Sequence, residues 1–435
     1  MQSNAQNIKQ HLLDIIKEMS DTPMLFVRNP GEDFTRKRQL HFDEMIHRII
    51  ALNGGSLNAE MLKFDDYDVN APTSSAFVQQ RQKILPIAFE YLFHQFTNTI
   101  ATERTYCGYR LLAFDGTKIN IPHNPTDEGT YFGKNPDRKG FNLLNLNAMC
   151  DLCNNVYVDA HLQPGREANE HDGLLTIVKR LDSLNKSIIV ADRGLESYNA
   201  LATIAENGGH FVIRVRDIDR PNGILSNLNL PDEEFDMNVN LILTKKQTNL
   251  VKNNRHIYTK LNNNSKFDFL DQHENQFYNM SFRVVRFKIS EDTYETLVTN
   301  VTEFTPEQLK HVYNMRWGIE TSFRYLKHAI GLSALHSKKV ECIAQEIFAK
   351  LTVYNFCQAI TLSVVVEAKN TKYVYAINIC TAITICKKFL NSCHNALGDT
   401  IECLIARHLT PIRPGRCAPR KVIPRSSMSF LYRIA

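Results

Sequence analysis

Three short strand-like runs followed by strict helix–strand alternation constrain this chain most. From about residue 109, the segments YRLLAFDGTKINIP, LNLNAMCDL and NVYVDAHL are rich in β-branched, aromatic and aliphatic residues and are separated by turns. NEHDGLLTIVKRLDSL then has helical spacing and opens on an Asn-Glu-His-Asp cluster. SIIVADRG follows as a short buried strand that ends on a charge, SYNALATIAENG as a helix closed by Gly208, and HFVIRVRD as a further strand. Hairpins followed by alternation predict an α/β or α+β core on a mixed sheet.

The flanks read differently. Residues 1–104 have helical periodicity, as in IKQHLLDIIKEM and FDEMIHRIIALN. A helix is expected after Pro72, capped by Ser74 or Ser75 and running through AFVQQRQKI, with a break at Pro86 before IAFEYLFHQF. Gln79, Gln80, Arg81 and Lys83 on that helix are candidates for reading DNA, although a solvated helix surface has the same composition. Residues 105–216 carry the mixed core. Residues 217–300, rich in Asn and Lys with strand-like VNLILTK, SFRVVRFKIS and YETLVTNV, form a β-rich insertion. The core resumes over 301–370, where Thr305-Pro306-Glu307 starts a helix, and 371–435 holds further helices and a tail.

The chain has 435 residues, 43% hydrophobic and 22% charged, an ordinary balance for a soluble protein with two or three cores. The net charge of +5 is unevenly spread. From Arg407 onward there are Arg413, Arg416, Arg420, Lys421, Arg425 and Arg433 and no acidic residue. Four prolines in that stretch forbid a regular helix. A basic extended tail suits phosphate backbones, and Arg420 and Lys421 are its candidate contacts. The N-terminal MQSNAQNIKQ lacks the layout of a signal peptide, and the ten cysteines are scattered, so reduced thiols in a cytoplasm are expected. Cys150 and Cys153 form one CxxC without a second pair at zinc spacing and read as structural. The apolar run near Leu351–Val366 is interrupted by Asn355 and Gln358 and reads as a buried helix, not a membrane span.

One segment, Tyr313–Lys327, carries two patterns. Val312, Met315, Ile319, Phe323, Leu326 and Ile330 make the apolar stripe of a packed helix. Tyr313, Arg316, Glu320 and Lys327 fall on one face at about 100° per residue, beside that stripe. Charges flanking a core stripe sit at the rim of the packed face, where a site can form. Two more acids stand at strand ends: Asp115 in LLAFDG and Asp192 in IIVADRG. Singly, each has an ordinary explanation, a turn former for Asp-Gly and an i,i+4 ion pair for Glu320. Brought together, three carboxylates repel one another, and a hard divalent cation on oxygen ligands is the usual remedy. Two such ions can clamp the attacking and leaving oxygens of a phosphodiester.

The order strand-Asp, strand-Asp, helix-Glu resembles the ribonuclease-H-like DDE transposases. Tyr313, Arg316, Glu320 and Lys327 match the spacing of the YREK signature of the insertion-sequence-four family of bacterial transposases. AFDGTKINIP, VADRG, SFLYRIA, FTRKRQL and SAFVQQRQKI also look like that family. The resemblance implies a ribonuclease-H-like core, with Asp115, Asp192 and Glu320 as catalytic residues that bind two magnesium ions, for which manganese can substitute. It implies that Arg316 and Lys327 grip phosphates of the transposon end and that Tyr313 contacts DNA near the cut, with Arg324 and Trp317 on the same segment as further contacts. The implied activity is cut-and-paste transposition: hydrolysis at the element's ends, then strand transfer. The implied partners are double-stranded DNA, as terminal inverted repeats and target, and a second copy of the chain. A structure-specific nuclease and a domesticated DNA-binding protein are the alternatives on the same fold.

Overall fold

The computed structural model describes residues 3–36, 39–101, 104–133, 140–218, 220–226, 228–255, 257–291, 293–366, 373–392 and 400–413. Ser3 opens α1 (Asn4–Asp21) with a reciprocal cap: its hydroxyl accepts from Gln6 N, and Gln6 Oε1 accepts from Ser3 N. α2 (Phe42–Ala51), α3 (Leu57–Phe64), α4 (Ser74–Arg81) and α5 (Ile87–Thr99) complete the helical start. The expected breaks at Pro72 and Pro86 are present, but the cap of α4 is Thr73, whose hydroxyl accepts from Ala76 N.

The mixed sheet follows. It comprises β1 (Arg110–Ile121), β2 (Tyr131–Phe132), β3 (Phe141–Asp151), β4 (Val156–Pro164), then α6 (Glu170–Arg180), β5 (Ser187–Ala191), α7 (Tyr198–Glu206) and β6 (His210–Val215). β4, β3 and β1 pair antiparallel, and β1, β5 and β6 pair parallel. This order, three antiparallel strands and then two parallel ones on the other side of β1, is the ribonuclease-H-like arrangement.

The 217–300 segment is β-rich, yet its strands extend the core sheet. β7 (Phe235–Thr244), α8 (Asn249–Asn253), β8 (Tyr258–Lys260), β9 (Tyr278–Ser290) and β10 (Thr293–Thr299) add to the edge left by β6, giving the order β6-β10-β9-β7-β8. β6 has one free side, and a β9–β10 hairpin satisfies its backbone groups.

The expected continuous helix after Thr305 is instead three pieces: α9 (Pro306–Met315), α10 (Trp317–Arg324) and a π-helical turn (Tyr325–Ile330) closed by Gly331 at φ 98°. Thr305 and Gln308 form the capping box of α9, with Pro306 in its first turn. The break falls at Arg316. Then come α11 (Val340–Ser363), β11 (Val374–Ile377), α12 (Ile379–Leu390), α13 (Ile401–Ala406) and β12 (Leu409–Ile412). No described helix is long and apolar enough to cross a membrane.

α11 is the central helix of one sheet face, buried nearly along its length. α1, α2, α5, α10 and the alternate side chains Leu111, Ala113, Ile188 and Val190 share its core. The opposite face packs Leu112, Phe114, Ile189 and Ala191 under α6 and α7. The buried polar side chains along α11 find partners. Asn355 holds Tyr157 N, Tyr157 O and Thr97 Oγ1 at 2.8, 2.8 and 2.9 Å, Gln345 donates to Ile84 O at 2.7 Å, and Lys350 donates to Leu52 O.

Arg81 belongs to this network and not to a DNA-reading surface. Its side chain is 3% exposed, Nη1 lies 2.8 Å from Glu346 Oε1, Nε donates to Gln345, and Nη2 donates to Cys342 O. His336 completes the enclosure of Glu346 through Nδ1 at 2.9 Å. Arg81 and His336 hold the Glu346 carboxyl down at about 2 against the opposing effect of burial. Of the CxxC pair, Cys150 is buried and Cys153 partly buried, and the described cysteines are free thiols.

Removing one member of a buried pair strands the other charge. Arg81→Met is expected to cost about 3–5 kcal/mol in urea unfolding, and adding Glu346→Gln should recover part of it. A loss below about 1 kcal/mol would show that the pair is not buried in solution.

Candidate active site

β1 has two neighbours of unequal length. β3 pairs with it as far as Ile121, whereas β5 pairs only from Arg110↔Ser187 to Ala113↔Val190. Asp115 is therefore not at a strand end but in mid-strand, opposite Ala148, at the point where β5 has stopped. Asp115 and Asp192 each lie two residues past the last parallel pair, on neighbouring strands spaced about 4.8 Å apart. Alternation puts Asp115 on the face of Leu111 and Ala113. Asp192, still extended at φ −85° and ψ 178°, follows Val190 onto the same face. The crevice beyond the carboxyl ends of parallel strands is the usual ligand position of open α/β sheets.

A glycine N–H fixes each Asp. Asp115 Oδ1 accepts from Gly116 N at 2.8 Å, and Asp192 Oδ1 accepts from Gly194 N at 2.7 Å. Burial pushes the Asp115 carboxyl up to about 6, with Asp192 and Glu170 adding to it and Gly116 N–H and Arg316 opposing it.

α10 packs its Ile319 and Phe323 into the same core face and brings Glu320 to the rim. Arg316 Nη2 holds Glu320 Oε1 at 2.9 Å, and the Arg316 charge also acts on Asp115. Arg316 Nε is buried without a hydrogen-bond partner. Lys327, in the π turn, donates from Nζ to Thr117 Oγ1 at 2.5 Å and Lys118 O at 3.1 Å, two and three residues beyond Asp115. Burial lowers its proton affinity, and Asp115 opposes that. π turns recur at functional sites because they displace a side chain from the regular helical position.

The expected DNA contacts divide by position. Trp317, 49% exposed, and Arg324 point outward, and Lys327 is half-buried. Tyr313 and Arg316 lie inside: Tyr313 is 3% exposed, with Arg316 5.7 Å from its ring centre. The Tyr313 ring accordingly supports Arg316 and does not face a DNA surface. Arg420 and Lys421 lie outside the described residues.

One acid carries no distinguishing mark in the sequence. Glu170, the first residue of α6, approaches the crevice from the opposite face. A Cβ at Gly116 would stand 2.6 Å from Glu170 Oε1, and one at Gly194 would stand 3.6 Å from Glu170 Oε2. Asn169 caps α6 through Oδ1 to His171 N at 3.0 Å and Asp172 N at 3.3 Å, so Glu170 is held at the helix entrance. Its sequence signal is the Asn-Glu-His-Asp cluster, which reads equally as helix capping. Among the described residues, no three His, Cys, Asp or Glu side chains stand close enough as oriented to hold one ion. The donor chemistry around Asp115 and Asp192, carboxylate oxygens with no Cys or His, nonetheless suits magnesium or manganese.

A mixed sheet of this order, with an acidic pair where its parallel pairing stops, is a ribonuclease-H-like core. The transposase DDE domain model matches residues 106–356, more than half of the chain, and the protein belongs to that family. Asp115, Glu170, Asp192, Glu320 and Lys327 all fall within the match. No curated protein matches the sequence. Among solved structures, the chain is similar to a piggyBac transposase synaptic complex with hairpin DNA, at 10% identity and a TM-score of 0.47, covering 95% of this chain and 87% of that one.

The raised Asp115 carboxyl has a measurable consequence without metal. A folded-state proton affinity above the unfolded one favours the folded state while the group is protonated. The cost is absent below 3.8, the ordinary value, and is complete above about 6. Asp115→Asn is expected to stabilise the metal-free protein above pH 6 by on the order of 1–3 kcal/mol, with little effect at pH 4. Equal melting profiles for the two proteins across that range, in EDTA, would place Asp115 in solvent.

Proposed function

We propose that this DDE transposase carries out cut-and-paste movement of a bacterial insertion sequence in the manner of the insertion-sequence-four family, acting in the cytoplasm on double-stranded DNA. Asp115, Asp192 and Glu320 are the catalytic carboxylates, and magnesium, or manganese in its place, is the cofactor, as two ions. The observation that carries this reading is the shared offset of Asp115 and Asp192 past the last β1–β5 pair, on the face where α10 delivers Glu320.

The chain's residues divide the work. Asp115 and Asp192 each have one oxygen held by the Gly116 or Gly194 N–H group, which leaves the other for a cation. When bound, the metal would supply charge neutralisation at the scissile phosphate. Lys327, anchored to β1, sets a cation beside Asp115 in position for a phosphate of the transposon end. Arg316, supported by Tyr313, orients Glu320. Trp317 and Arg324 offer an exposed ring and a cation along the same ridge, suited to stacking and phosphate contact. Hydrolysis frees a 3′-hydroxyl, and attack of that hydroxyl on target DNA completes the transfer. The helical N-terminal region recognises terminal inverted repeats, the basic tail holds DNA, and two copies bring paired ends together.

Asp115→Asn, Asp192→Asn and Glu320→Gln should each reduce cleavage of a paired-end substrate to background while leaving end binding intact. Cation-dependent cutting that survives in any one of them would sink the assignment. In the wild type, cleavage without joined product would identify a nuclease, and binding without cleavage a domesticated binder.

Lys327→Ala and Arg324→Ala should each weaken end binding and flatten the dependence of log K on log salt by about one for each phosphate left unneutralised. An unchanged slope would move that residue off the DNA path.

A further inference from the structure

We infer that Glu170 is a third carboxylate of the cation site, facing Asp115 and Asp192 from the α6 side of the sheet. This rests on the reading of Asp115 and Asp192 as metal ligands and adds to it a residue outside the DDE triad.

Gly116 makes the room for it. Gly116 follows Asp115 in β1, so alternation turns its missing side chain toward the α6 face, opposite to Asp115. Glu170 Oε1, Cδ and Cγ would lie 2.6, 3.0 and 3.0 Å from a Cβ there, closer than any ordinary contact. The carboxylate thus occupies the volume that any other residue at 116 would fill. Gly194, which closes the Asp192 turn, leaves a second open side, where a Cβ would stand 3.6 Å from Glu170 Oε2 and 3.0 Å from Asp192 Oδ1. The glycine that donates its N–H to Asp115 therefore also admits the Glu170 carboxylate, which neighbours the Asp192 turn as well.

The charge balance does not favour placing a third acid there for stability alone. Burial raises the Glu170 carboxyl first and Asp192 raises it further, with His171 and Lys118 opposing. On the other side of the crevice, Arg316 has an inward, unpartnered Nε on a side chain only 6% exposed. A buried donor without an acceptor on one side and three neighbouring acids on the other suit an anion and a cation together, as a metal-bound phosphate provides. Glu320 is held by Arg316, whereas no side-chain hydrogen bond ties down the Glu170 carboxylate among those described, and its oxygens lie against Gly116 and Gly194, next to both Asp turns.

The test is Mn²⁺ binding to the full-length, DNA-free protein, followed by electron paramagnetic resonance and by the Mn²⁺-dependent rise in melting temperature. Glu170→Gln preserves size, and its fold is checked by circular dichroism and by melting in EDTA. The expected result is binding weakened at least about tenfold in Glu170→Gln and lost in Asp192→Asn. Binding by Glu170→Gln within twofold of wild type, with Asp192→Asn impaired, overturns the role of Glu170 and leaves the main reading standing. Wild-type binding in both Glu170→Gln and Asp192→Asn, or no binding by the wild type, overturns both.

Discussion

The parallel pairing of β1 and β5 stops two residues before each strand presents its acid, and the site depends on that early stop. On its other side β1 remains paired with β3 for eight residues beyond Ala113. A strand supported on one side and open on the other offers a stiff backbone next to an empty lane. Side chains at its open edge are positioned by the sheet but face no neighbouring strand. This is where two like charges can be held near each other at tolerable cost, because water or a ligand reaches them from the crevice. Had β5 run on alongside β1, the same carboxylates would be side by side within the sheet with nothing to offset their repulsion.

The second requirement is that α10 be held over this lane in a fixed register. Its Ile319 and Phe323 do part of this through the core, and α11 does the rest from behind. α11 is buried on all sides, so an apolar helix there could slide or rotate with little penalty. Its Gln345, Glu346, Lys350 and Asn355 instead make hydrogen bonds that are satisfied in one register only. Their partners lie in α4, α5, the α2 end and β4, so one row of polar groups ties the N-terminal helices to the sheet. Arg81 is the plainest case, a cation consumed inside the fold.

The same burial explains why Arg81 reads from sequence as a DNA contact. An Arg flanked by Gln and Lys on a weakly amphipathic helix has the composition of a DNA-reading surface, and nothing local reveals that Glu346, far along the chain, will enclose it. Strands, alternation and the two Asp motifs are legible because hydrophobic period and turn residues encode them locally. The insertion is legible as β-rich but not as a continuation of the sheet, since edge pairing of β10 onto β6 is a non-local fact. The break at Arg316 is hidden because the apolar stripe keeps its spacing across it, and the π turn at Tyr325–Ile330 carries no local marker except Gly331 after its end. Glu170 is hidden by an ordinary explanation: Asn-Glu-His-Asp reads as a capped helix start, which it also is.

The break at Arg316 has a physical rationale in the site itself. Arg316 N bonds to Tyr313 O at 3.1 Å, and Ile319 N bonds to Arg316 O at 3.0 Å, so the chain tightens on both sides of that residue. The tightening lets α9 pack on β5 and β6 while α10 packs on β1, and it places the Arg316 guanidinium between Tyr313 and Glu320. One buried cation then faces two demands, Glu320 at hydrogen-bond distance and Asp115 through space, and satisfies the first while leaving Nε free. A cation with an unused donor inside a cluster of acids is a configuration that an incoming phosphate would complete, because the phosphate supplies the missing acceptor and the ions that accompany it supply the missing positive charge. The DNA-free site thus has its backbone positions settled, with its charges awaiting both.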